Sequence, residues 1–186
     1  MIFGNPFTRW AIRITGSFIA LAASASIASA ATITVTTGLD QYGTGAPGEC
    51  SLREAIQSAN QDSNFDQCVG VGPYGNDVIV FAPAVTTVSL TIITPTPPDN
   101  DNNAFLDLDI VDTNPLSLDD LTIDGGPSGV TIQPGVLPWN DRIFDIVPNP
   151  TGQPATVILR NLIIQGGGPT LSNETASGDP CFNSGG

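Results

Sequence analysis

Histidine and lysine do not occur in this chain of 186 residues. Without histidine there is no Ser-His-Asp relay, and zinc loses its usual nitrogen ligands. Without lysine there is no glycine-rich phosphate loop of the kind that ends in that residue. Five arginines are the whole cationic complement, set against eighteen acids. Arg9 and Arg13 precede residue 30, and every acid follows it. The remainder holds Arg53, Arg142 and Arg160 and a net charge of −15. Such a surface repels nucleic acid and anionic lipid. Helical periodicity is scarce too: one stretch shows it, which excludes a βαβ sheet. No cofactor is expected.

What is present begins as an export signal. Arg9 and Arg13 form a positive start, residues 14–27 are apolar and small, and Ala28-Ser29-Ala30 matches a signal-peptidase site. Cleavage before Ala31 is expected, and with it a secreted or outer-surface location. A retained membrane helix is the weaker alternative, because the apolar run is short and poor in large side chains. No later stretch could span a bilayer. Export also bears on the three cysteines. Cys50 and Cys68 enclose the helical stretch and are the natural disulfide pair, leaving Cys181 over. Three free buried thiols are the alternative.

The helical stretch is residues 50–60. Ser51 and Glu54 have the S-x-x-E spacing of a capping box, in which each side chain bonds the other residue's backbone N–H. Leu52, Ala55, Ile56 and Ala59 fall on one face, at i, i+3, i+4 and i+7. Arg53, Gln57 and Ser58 take the other, which reads as the wet side.

The rest reads as strands and turns. Residues 31–37, 77–81, 87–93, 105–110, 121–123, 130–133, 142–146 and 156–165 are β-rich, with Gly, Pro, Asn and Asp between them. Acids alternate with apolar residues in 105–110 and 143–146, as on a strand with one wet face. Leu121–Gly126 (LTIDGG) is echoed by Leu162–Gly167 (LIIQGG), at an offset of 41. That repetition suits a coil returning to the same side of a β-solenoid. Many short strands with turns suit a β-sandwich equally.

Cys50-Ser-Leu-Arg-Glu-Ala-Ile56, followed by Ala59 and Asn60, resembles the signature of the CSLREA domain. That module belongs to exported bacterial proteins with right-handed parallel β-helix repeats of the pectate-lyase-like kind. The likeness spans roughly residues 33–168. It implies an all-β, right-handed parallel β-helix with a short N-terminal helical cap. The expected divisions are a signal at 1–30, a capping unit at 31–76 and coils at 77–168. Residues 169–186 then form a Gly/Ser/Pro-rich tail or an incomplete coil of a stack that continues. In such a fold the apolar face of the helix should cover the first end of the stack, held there by the disulfide.

Chemistry is thinly represented. A lyase acting on uronates needs a strong base beside metal-holding carboxylates, and Arg142 and Arg160 are the candidate bases. A glycosidase needs paired carboxylates, and Asp119-Asp120 is the adjacent pair. The Gly-His-Gly signature of polygalacturonases is impossible without histidine. Asp99, Asp101 and Asn103 are spaced like the start of a calcium loop, but Ala104 and Ile110 stand where Gly and Glu belong. A solvated insert is the plainer reading. Trp139 is either a sugar-stacking residue or a loop anchor, and Asn173-Glu-Thr175 is a chance sequon. No catalytic, cofactor-binding or metal residue is expected. The expected function is structural display or adhesion, with an extracellular polysaccharide or another cell surface as partner. The alternative is the start of a carbohydrate-active enzyme with its site in later coils.

Overall fold

A computed structural model describes residues 30–93, 103–111, 120–139, 141–147 and 156–168. The leader (except Ala30), Asp99, Asp101, Asp119, the Asn173 sequon and Cys181 lie outside the described residues. Within them the chain is mostly strand, with one short helix and chiefly parallel sheets. The strands are β1 (Thr32–Val35), β2 (Gly70–Val71), β3 (Val78–Phe81), β4 (Thr87–Leu90), β5 (Leu108–Val111) and β6 (Leu121–Asp124). They continue with β7 (Val130–Pro134), β8 (Phe144–Val147), β9 (Val157–Arg160) and β10 (Leu162–Ile164). The helix, α1, is Leu52–Asn60.

Three sheets result, in the orders β2-β1-β3-β6-β9, β10-β7-β4 and β5-β8. The chain visits them in a fixed sequence. β3, β4 and β5 make one circuit, β6, β7 and β8 the next, and β9 and β10 begin a third. Each strand pairs in parallel with its counterpart one circuit earlier, as Val78 with Thr122, Thr87 with Thr131, and Asp109 with Asp145. Side chains of one parity stack into columns that form the core. Ile33, Ile79 and Ile123 are fully buried neighbours in one column, and Val88 and Ile132 begin another. Burying each aliphatic side chain contributes about 1.5–3 kcal/mol.

The offset-41 echo is not the register. Leu121 pairs with Val157, and Leu162 pairs with Val130, so the two copies lie in different sheets. The stretch expected as one strand over 156–165 is divided by Asn161, whose φ is 56°. Its carbonyl lies where a Cβ on Gly125 would be, so glycine is required there. Register steps are 44 residues from β3 to β6 and from β4 to β7. They shrink to 36 from β6 to β9 and 32 from β7 to β10. Loops of unequal length remove any fixed period.

β1 pairs in parallel with β3 and is the first strand of that sheet's stack. Its outer edge takes β2, antiparallel. Beside β4, the carbonyl of Gly38 accepts from Ser89 N–H at 3.1 Å. Beside β5 lies α1. Strand, loop and helix thus make an opening circuit in which the helix stands in the third strand's place.

Candidate functional site

Two clusters of charged residues flank β5. One is centred on Arg53. It sits on the helix side read as wet, yet it is 1% exposed. Its Nε and Nη2 bond the Asp40 carboxylate at 2.7 and 3.3 Å. Nη1 donates to the carbonyls of Asn103 (3.3 Å) and Asp107 (2.7 Å), and Nη2 to that of Leu106 (2.7 Å). Those five bonds use the whole guanidinium fork. Asp40 also accepts from the N–H groups of Thr91 and Ile92. The expectation of a solvated arginine fails because residues 103–107 close over that side. Asn103 and Leu106 make the closure with φ of 57° and 54°. The Asn103 amide bonds the Arg53 carbonyl, and its own N–H bonds Asp109 at 2.6 Å. The described end of the calcium-like segment thus wraps a cation belonging to the chain itself.

Asn60, which the sequence marked as part of the signature but gave no role, plays a matching part. Its side-chain N–H donates to the Asp109 carbonyl at 2.8 Å and its oxygen accepts from Val111 N–H at 3.0 Å. Donor and acceptor together mimic a neighbouring strand along β5.

The capping residues are engaged as well. Ser51 Oγ accepts from Glu54 N–H at 3.2 Å, and Glu54 accepts from Ser51 N–H at 3.1 Å. Glu54 also accepts from Gly43 N–H, tying the 38–48 loop to the helix. Burial raises the Glu54 carboxyl above its ordinary pKa, against the bonds from Ser51. Leu52, Ala55 and Ile56 are fully buried in the core, and Ala59 is half-buried against it. Cys50 and Cys68 form a disulfide with Cα atoms 4.8 Å apart.

The second cluster is acidic. Asp107, Asp109 and Asp145 each place a carboxylate oxygen within 4.8 Å of the others. The expectation of a wet face fails for Asp107 and Asp109, which are fully buried. Arg142 lies against them, with Nε 2.8 Å from Asp107 and Nη2 3.2 Å from Asp145. Three carboxylates are hard ligands of the type calcium takes, though calcium uses six to eight oxygens. Arg142 already supplies positive charge there.

Comparison with family models, curated proteins and solved structures finds no match to this chain.

The remaining candidates separate. Arg160 lies at the end of β9, 3.0 Å from Asp124. The Asn161 amide and Gly126 N–H, with Arg160 adding, hold the Asp124 carboxyl below its ordinary pKa. Asp120 accepts from Thr156 N–H, bridging two circuits. Trp139 is 6% exposed and its Nε1 donates to the Arg142 carbonyl, so it is a loop anchor and not a stacking platform. No helix among the described residues is long and apolar enough to cross a membrane.

Proposed function

We propose that this chain is an exported, right-handed parallel β-helix with an N-terminal cap, acting in structural display or adhesion outside the cell. The observation that carries the reading is the sheet order. Apart from antiparallel β2 at one edge, the three sheets add parallel strands in chain order, as a coil stack does. Arg142 and Arg160 are engaged by aspartates, so their charges serve the stack. The acidic remainder suits a soluble surface that meets a polysaccharide or another cell. Expression from the full coding sequence should deliver a product beginning at Ala31 to the medium or outer surface, read by mass spectrometry and whole-cell proteolysis. A product kept inside the cell with its leader intact would refute the reading.

One observation favours an enzyme instead. Arg142 beside Asp107, Asp109 and Asp145 is the arginine-plus-carboxylate grouping that a uronate lyase uses. Access argues against it, since two of the acids are fully buried. Incubation with polygalacturonate and calcium decides between them. Display predicts no unsaturated uronate; release that disappears in Arg142→Gln would establish the lyase.

A further inference from the structure

We infer that removal of the leader makes the first residue of the mature chain the cationic half of a buried ion pair, the Ala31 α-ammonium on the Asp77 carboxylate. The inference rests on the export reading above, which places the cut before Ala31. In the structure the Ala31 N–H donates to Asp77 Oδ1 at 2.9 Å. Both residues are buried, Ala31 fully and Asp77 at 2% exposed. As part of a peptide bond that nitrogen is a neutral donor. Hydrolysis of the Ala30–Ala31 bond puts the oxygen of water on the Ala30 carbonyl carbon and both its protons on the Ala31 nitrogen. A carboxylate leaves with the leader and an ammonium stays. The nitrogen then carries a full positive charge at a distance ordinary for a charge-assisted bond.

The fold already holds both halves in place. The Ala31 carbonyl accepts from Val78 N–H at 2.9 Å, and the Asp77 carbonyl accepts from Thr122 N–H at 2.9 Å. Gly75 N–H donates to the same Asp77 Oδ1 at 3.1 Å. The pair thus sits where β1, β3 and β6 begin. Gly70 in β2 packs close over it: a Cβ there would lie 3.0 Å from the Ala31 methyl. Charge points the same way. The mature chain has three arginines and no lysine, and the arginines lie against Asp40, Asp107 and Asp124. The α-amino group is the fourth cation, and the fold sets it on Asp77. An ionised carboxylate in the interior is favourable when paired and hydrogen-bonded. The leader is therefore more than an address. While attached it withholds the charge that locks β1 against β3, and the chain reaches its full stability only after processing.

The absence of lysine supplies the test, because the α-amine is then the mature chain's one primary amine. Chains beginning at Ala31 and at Ser29 are each made with Asp77 and with Asp77→Asn. Starting at Ser29 keeps the Ala31 amide and moves the charge beyond Ala30, which is exposed. With Asp77, acylation of the folded chain by a succinimidyl ester should be at least about tenfold slower from Ala31 than from Ser29. An ammonium held by a carboxylate gives up its proton reluctantly. In urea unfolding the Ala31 start should raise the folding equilibrium constant by at least about tenfold, and Asp77→Asn should abolish that difference. Circular dichroism checks the fold of all four. Should Asp77→Asn not fold, the two starts with Asp77 still decide the acylation. Equal acylation of the two starts, or a stability difference that survives Asp77→Asn, would overturn the inference. Mass spectrometry of the exported product separates this from the export reading. A product that begins elsewhere would defeat both, whereas one that begins at Ala31 and is freely acylated would defeat the ion pair alone.

Discussion

At the first end of the stack, β1, β4 and β5 each meet a piece of chain that satisfies the outer edge. At the last end, β9, β10 and β8 meet none among the described residues. The strands themselves are alike in length, three or four residues each. The difference lies in what covers them, and the cover takes three forms. A two-residue antiparallel strand suffices for β1, and a single glycine carbonyl meets β4. A helix covers β5, though a helix has no free backbone groups along its side. Side chains must therefore do the bonding: Asn60 does it along β5, and Arg53 does it on the loop that leads into β5. Closing the edge of a parallel sheet needs no further strand, only polar groups placed where the next strand's backbone would be.

The largest expected effect tests the arginine. Arg53→Met keeps much of the volume and removes the fork, leaving the buried Asp40 carboxylate without its cation. A loss of about 3–5 kcal/mol is expected, as when one partner of a buried ion pair is removed. Urea unfolding measures it. A loss like that of an exposed arginine would mean the first end is closed by packing alone.

Next comes the strand mimic. Asn60→Leu exposes the outer edge of β5 at Asp109 and Val111 while keeping an apolar bulk. It should cost about 1–3 kcal/mol, the penalty for buried backbone groups left unbonded. Hydrogen exchange at Val111 should speed up while β3 and β4 are unchanged. Uniform acceleration would show that Asn60 supports the whole fold and not one edge.

The smallest effect is in pH. Asp124 in β6 has a lowered carboxyl, so its contribution to stability is present above the ordinary carboxylate pKa of about 4. It is lost as pH falls through the lowered value. Glu54 is raised, so its contribution is fully present below the ordinary value and is lost as pH rises through the raised one. Asp66, lowered chiefly by the Gln67 amide, opposes Glu54 within the cap. Acid should therefore loosen β9 against β6 and leave α1 comparatively unmoved. Exchange protection of the two segments, corrected for the chemical rate, compares them. Parallel loss in both would erase this distinction between the ends.

Much of the fold is legible in the sequence, for local reasons. The Ser51–Glu54 box lies within one turn of helix, and strand alternation needs only neighbouring residues. The helix and the strands announce themselves in that way, except β2 and the division of residues 156–165 into β9 and β10. β2 is two residues long and carries no alternation to read. Periodicity misplaces Arg53 because it reports only which helix face is apolar. Burial of the opposite face depends on a loop fifty residues later. Asp107 and Asp109 are misplaced for the same cause: alternation separates two sides of a strand and says nothing of what later folds over the polar one.

The sequence by itself determined where the helix starts, which segments extend, and that the chain is acidic with its few cations placed apart. These follow from hydrogen bonds and side-chain parity over a few residues. Only the tertiary structure decided register, the burial of Arg53 and of two aspartates, and the contrast between the ends. Register depends on pairings 32 to 46 residues apart across loops of unequal length, and the burial of Arg53 on contacts 50 to 54 residues away, so no local pattern encodes them.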